Sequence, residues 1–375
     1  MLTREQLVTL HRSFRNERVL SVYVDGSAKD PAKQRAWRVE LDNGLNDLQS
    51  WVADSSHEER EQLNRCISLL DGAMAGLSAG VGTMGWVAFI AAGRLREVHH
   101  LPVPVPTLAI WSTGPCVAPY VRALKETRPV VVAVADARKV KLLYYCVGKL
   151  DRVETLRAHH TVDRPSHMGA PPTQGFHAGT HGSAGHDSAQ RSLLAGRDRM
   201  LAEAVGHIHD LAGPEGWIVL GGIPRVVTRL AHDLSGSFPD RVFLSDGFDV
   251  HATGAQIAKA AREGASALRN AADARRLAEI SDLAQAGSVG TIGPTTTWRA
   301  LENSCVHELY LTHRFLEEHR ADAEDVVRAA LDQDALVEEV SGEAALQLDE
   351  QGGIAAHLRY RTGEPEGMLE AAVSS

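Results

Sequence analysis

The 375-residue sequence has no apolar run long enough to cross a membrane. Gly85–Gly93 and Pro129–Ala135, its most hydrophobic stretches, fall far short of the ~20 residues a spanning helix needs. Arg4 and Glu5 precede Leu7 without a signal-peptide hydrophobic region, so a cytoplasmic protein is expected. There are only four cysteines, Cys66, Cys116, Cys146 and Cys305, with no CxxC spacing. Three lie in or beside apolar runs, which predicts buried thiols rather than a disulfide framework. No GxSxG, P-loop lysine motif or DxDxDG occurs, so no nucleophile is presented with its base.

What is present is an ordinary globular composition, 44% hydrophobic and 23% charged, on a chain long enough for two or three domains. The net charge of −9 argues against nucleic acid until it is divided by position. Residues 301–375 carry 17 Asp or Glu against 5 Arg and no Lys, a balance of −12, which leaves +3 for the first 300. The acidity belongs to one end.

Three α/β segments are predicted, at 1–127, 128–254 and 255–375. In the first, Val19–Asp25 and Trp86–Ala92 read as strands, and Trp37, Leu41, Leu45, Leu48 and Val52 make one helical face, as do Leu63, Ile67, Leu70 and Met74. Pro102, Pro104 and Pro106 exclude a central strand there. In the second, Pro129–Ala135 and Val140–Val147 form a hairpin through Asp136–Lys139, with Val153–Ala158 as a third strand. A Gly-, Pro- and His-rich loop runs from His159 to Asp187, and a helix from Ser188 to Leu211 has Ser188 as its N-cap. Strand, helix and strand follow at Trp217–Leu220, Val226–Leu234 and Val242–Leu244, the alternation of a partly parallel sheet. Ala255–Ala286 reads as a long connecting helix. The last segment alternates again: helix at Thr297–Val306, strand at Glu308–Thr312, helix at Ala321–Asp332, strand at Ala335–Val340 and a terminal run at His357–Arg361.

Several motifs dissolve on inspection. Gly80-Val81-Gly82-Thr83-Met84-Gly85 fits GxGxxG, but a helix precedes it and a strand follows, the reverse of a dinucleotide site. His307-Glu308 and His313 imitate a zinc-protease motif, yet the two histidines are six apart rather than four. His159, His160, His167, His177, His181 and His186 cluster in the long loop without a neighbouring cysteine, so a solvated or partner-ordered loop is the better reading than a metal site. Basic residues gather around that loop: Arg138, Lys139 and Lys141 before it, Arg191, Arg197 and Arg199 after it, and Arg262, Arg269, Arg275 and Arg276 on the connecting helix. Each set reads as a solvated face by itself; together they suit phosphate contacts.

Gly185-His186-Asp187-Ser188-Ala189-Gln190-Arg191, running into a basic helix through Arg199, resembles the middle domain of archaeo-eukaryotic peptide-chain release factors, where a glycine-rich loop ends in Gly-Gly-Gln and then Ser. Gln351-Gly352-Gly353-Ile354-Ala355-Ala356-His357-Leu358-Arg359-Tyr360 is similar to the closing segment of the third domain in that superfamily and in Pelota. Ile218-Val219-Leu220-Gly221-Gly222-Ile223-Pro224 resembles a strand-to-helix turn of its middle domain. The order of these segments resembles the bacterial branch, which includes ribosome hibernation factors of the Balon type.

The resemblance implies three α/β domains with mixed sheets covered by helices. The first would approach the decoding centre, the second the peptidyl-transferase centre, and the acidic third would dock an elongation-factor-type GTPase. It implies the 70S ribosome as partner, with His177, His181, Gly185, His186, Asp187, Ser188, Arg191, Arg197 and Arg199 on rRNA. No cofactor or metal, no membrane and a monomer are expected. The Gly-Gly-Gln of release chemistry is reduced here to Gly185; His186 adds a side chain where close approach relies on glycine, and Asp187 brings negative charge towards the ester. No Asn-Ile-Lys-Ser occurs in the first segment either. A non-enzymatic hibernation factor in the vacant A site is therefore the leading expectation. The alternatives are a rescue peptidyl-tRNA hydrolase with Asp187 or a histidine as general base, and a metal-dependent hydrolase built on the histidine cluster.

Overall fold

A computed structural model of the chain describes residues 2–28, 36–77, 81, 84–146, 149–158 and 183–361. It divides into two compact units: residues 1–127 with 270–375, and residues 128–269.

The first unit opens with α1 (Arg4–Phe14), whose Thr3 and Gln6 form a reciprocal capping box, and β1 (Arg18–Asp25). Helices α2 (Ala36–Val52) and α3 (His57–Met74) follow, then β2 (Gly85–Ala91), β3 (Arg94–Leu101), β4 (Leu108–Thr113) and α4 (Ala118–Glu126). The strands form a wholly antiparallel sheet, ordered β3-β2-β1-β4. Alternation along β1 sends Leu20, Val22 and Val24 to one face, where Trp37, Leu41 and Leu45 of α2 and Leu63, Cys66 and Leu70 of α3 cover them. Val19 and Tyr23 point to the other face, into a second core.

In the other unit lie β5 (Val130–Ala135), β6 (Lys139–Cys146), β7 (Lys149–Arg157), α5 (Ser183–Ala212), β8 (Trp217–Gly222), α6 (Pro224–Leu234) and β9 (Val242–Leu244). The five-stranded sheet runs β7-β6-β5-β8-β9; β5, β8 and β9 are parallel, and β6 is antiparallel to its neighbours β5 and β7. Both faces of the central strands are buried, which is why β5 reads Val-Val-Val-Ala-Val-Ala without alternation. Helices α5 and α6 cover Val131, Ala133, Ile218 and Leu220. Helix α7 (Gly254–Gln285) reaches the sheet through Gly264, where a Cβ would stand 2.8 Å from both the Phe243 ring and Val219.

Helix α7 ends in the first unit, where β10 (Gly290–Ile292), α8 (Pro294–Glu302), β11 (Val306–Thr312), α9 (His313–Glu318), α10 (Arg320–Asp332), β12 (Leu336–Val340), α11 (Gly342–Asp349) and β13 (Ile354–Leu358) complete the chain. Their mixed sheet runs β10-β13-β11-β12, with only β11 and β12 parallel. One face packs on Leu277 and Ile280 of α7 and on α11. The other joins α1, α4 and the inner face of the first sheet in one continuous core containing Leu7, Tyr23, Phe89, Tyr120, Leu309, Val327 and Ile354. The N- and C-terminal layers therefore share a hydrophobic interior.

The mixed α/β architecture with three helix-covered sheets is the one the sequence predicts. The terminal strand begins at Ile354, three residues ahead of the predicted run. Cys66, Cys116 and Cys305 are buried, and Cys146 is half-buried. Gly85 of the GxGxxG string has a packing reason: a Cβ there would lie 2.6 Å from the Val103 carbonyl oxygen. His307 sits in β11 and His313 opens α9, so they do not share a helix.

Candidate nucleic-acid interface

The long middle segment leaves the sheet at Arg157, the end of β7, and returns through α5. Strands β5, β7, β8 and β9 all end at this edge, the side of α/β sheets at which ligands bind. Asp136 shapes the hairpin there by accepting from the Arg138 and Lys139 N–H groups at 2.7 and 2.8 Å. On the neighbouring strand, Gly222 has φ +124, and a Cβ would overlap the Ala135 carbonyl; at Gly221 it would overlap the Phe248 ring. Pro224 then starts α6 at N1, where a missing N–H costs nothing.

Helix α5 has 30 residues and spans about 45 Å at 1.5 Å per residue. Its second half packs on the sheet: Met200, Leu201, Ala204, Ile208 and Ala212 lie in the core. That stretch of about 18 Å is comparable to the length of the six-residue central strands β5 and β8. Arg191, Leu193 and Leu194 are exposed on the leading half, with the two leucines 47% and 43% exposed, and Arg199 is exposed on the outer face just past the midpoint. The sheet supports the rear of the helix, and the front carries Arg191, Leu193 and Leu194 outward.

Of the residues predicted to contact rRNA, Arg191 stands exposed on this leading half and Arg199 on the outer face of the packed half. Arg197 lies four residues before Leu201 on the same stripe as Ala204 and Ile208; it is half-buried, its Nη2 is 3.4 Å from Asp198 and its Nε has no hydrogen-bond partner. Gly185, His186, Asp187 and Ser188 belong to the first turns of α5, which begins at Ser183; Ser188 is therefore inside the helix rather than its N-cap. His177 and His181 lie outside the described residues, as do His159, His160 and His167. No group of three metal-ligating side chains gathers among the described residues.

The other basic residues separate by role. Arg138 is exposed, Lys139 stands 3.9 Å from Asp136, and Lys141 directs its ammonium to the Val250 carbonyl at 3.4 Å. Arg276 is structural: it donates to Glu308, Glu279 and the Tyr310 hydroxyl, so it drops out of the phosphate-contact set. Burial alone would raise the Glu308 carboxyl, but the hydrogen bonds from Tyr310 and Arg276 hold it below the ordinary carboxylate range. Two exposed arginines not marked by any motif, Arg157 and Arg225, stand at the same sheet edge as Arg138. Only their positions, at a strand end and a helix start, signal them.

Residues 115–277 match the family described as Bacterial archaeo-eukaryotic release factor family 10, a span that includes the whole 128–269 unit. Over those residues the resemblance to archaeo-eukaryotic release factors is upheld. Similar solved structures include Pelota from Archaeoglobus fulgidus, at 15% identity over 74% of this chain and 80% of that one with a TM-score of 0.36. The archaeal translation termination factor aRF1 is 16% identical over 96% and 98%, with a TM-score of 0.27. Dom34 of S. cerevisiae, a translation termination-like factor involved in RNA quality control and interacting with Hbs1, is 10% identical over 63% and 64%, with a TM-score of 0.41. No curated protein matches the sequence. Among the described residues no helix is long and apolar enough to cross a membrane.

Proposed function

We propose that this protein is a release-factor-like translation factor that binds the 70S ribosome and holds a vacant A site without releasing peptide, as a hibernation factor does. The observation that carries this reading is the family match across the middle unit, combined with Gly185-His186-Asp187 at the position where the family's release chemistry uses Gly-Gly-Gln. The triplet sits in the opening turns of α5. Asp187 is the fifth residue of that helix, past the free N–H groups of its first turn, so its N–H belongs to the helical ladder and is not free for an ester. An aspartate also carries charge where release needs a neutral amide.

Binding in this reading is steric and electrostatic. Arg191, Arg197 and Arg199 meet rRNA phosphates, joined by Arg138, Arg157 and Arg225 at the sheet edge, while the −12 balance of residues 301–375 keeps that end off RNA and suits a protein partner such as an elongation-factor-type GTPase. Co-sedimentation with 70S particles at low and moderate salt tests it: association that weakens as salt rises is expected, and no association at either salt overturns it. Peptidyl-tRNA hydrolysis above background, lost in Asp187→Ala, would instead establish a rescue enzyme.

A further inference from the structure

In the first unit a cleft of about 60 Å³ opens between the edge of the first sheet and helices α4, α9 and α10. Pro106, Leu108, Ile110 and Leu316 give it an apolar wall, and Glu339, at the end of β12, stands at its charged end. Glu339 is only 8% exposed, and its Oε2 has no hydrogen-bond partner. The cations around it do not satisfy it. Arg122 Nε is 3.9 Å and His313 Nδ1 3.7 Å from Oε1, both beyond hydrogen-bond reach. Lys125 donates to Asp273 and to the Glu339 main-chain carbonyl instead. The other buried carboxylate of the cleft, Glu324, is saturated by the Val117 and Ala118 N–H groups, the Cys116 thiol and Arg328.

We propose that this cleft is a binding site for a primary aliphatic amine, whose ammonium donates to Glu339 while its alkyl chain lies along Leu108, Ile110 and Leu316. A buried carboxylate lacking donors is costly to keep ionised, and an ammonium supplies charge and three donors at once. The apolar wall accounts for the alkyl chain, which a hydrated inorganic cation lacks. Burial pushes the Glu339 carboxyl upward despite the opposing pull of Arg122, His313 and Lys125, which is consistent with a missing partner.

Saturation-transfer NMR of n-butylammonium chloride with the full chain tests the site, with n-butanol and ammonium chloride as matched probes. The expected result is transfer to the butylammonium methyl group at least fivefold stronger than to butanol, and its persistence in excess ammonium chloride. Glu339→Gln should reduce it at least fivefold, and Ile110→Trp, which fills the wall and leaves the carboxylate, should abolish it. Equal transfer to butanol, or full transfer in either folded variant, overturns the proposal; the wild-type comparison decides the matter if a variant does not fold.

Discussion

Lys125, near the end of α4, and Asp273, on α7, form an ion pair that is almost wholly out of water, with Nζ 2.6 and 2.7 Å from the two carboxylate oxygens. They are 148 residues apart in sequence. The pair is saturated: Lys125 also donates to the Glu339 carbonyl, and the Ser341 N–H and hydroxyl donate to Asp273. It joins the N-terminal layer to the C-terminal one inside their common unit.

Breaking one partner leaves the other charged and buried. Asp273→Ala is expected to destabilise the first unit by about 3–5 kcal/mol, whereas Lys125→Met combined with Asp273→Leu should cost much less, because no orphan charge remains. Urea denaturation of the two variants and the wild type checks the order, and a double variant no better than Asp273→Ala contradicts it.

Glu324 closes the first turn of α4 from a distant helix. With Val117 as N-cap lacking a side-chain oxygen, the Glu324 carboxylate receives the free N–H groups of Val117 and Ala118. Glu324→Ala should cost about 2–4 kcal/mol, since charge-assisted bonds to buried donors are lost. Hydrogen exchange should also quicken at Val117 and Ala118 ahead of the rest of the unit.

Gly222 and Gly206 should respond in opposite directions. Gly222→Ala meets both a positive φ and the Ala135 carbonyl, so the middle unit should lose several kcal/mol. Gly206 is in the packed half of α5 with open space where a Cβ would go, so Gly206→Ala should stabilise by up to ~1 kcal/mol. Thermal melts of the two variants provide the comparison.

The Glu339 carboxyl, raised above its ordinary 4.5 by burial, gives a defined pH dependence. Its folded form holds a proton that the unfolded chain releases earlier, so its contribution to stability falls as pH rises from about 4.5 through the raised value. Arg122, Lys125 and Glu126 of α4 and His313 of α9 face it. Glu339→Gln should therefore match the wild type at pH 4 and melt higher at neutral pH. A variant equally shifted at both pH values is incompatible with this account.

Arg191 and Arg199 should contribute to ribosome binding through phosphate charge alone. Replacing both with Gln should weaken association and lower its logarithmic salt dependence by about 1 for each contact removed, without altering the melting of the packed half of α5. Sedimentation across a salt series reads that slope.

The sequence by itself determined the longer elements and their order, because local periodicity carries them: the Leu41/Leu45 and Leu63/Leu70 stripes, the unbroken valines of β5 and the turn at Gly221–Pro224; β3, β4, α4, β10, α9 and α11, which are short or lack a clear period, were not among them. It also determined the family resemblance, through short collinear strings, and the charge split between residues 1–300 and the last 75. Only the tertiary structure decided how distant residues meet. The shared core of the first and last layers, the Lys125–Asp273 pair, the capping of α4 by Glu324 and the unpartnered Glu339 in its cleft all join positions more than a hundred residues apart, and no local period records such contacts. It also decided how the basic residues are placed: Arg276 donates to Glu308, Lys141 to a carbonyl, and Arg197 lies half-buried, while Arg191 and Arg199 are exposed on α5.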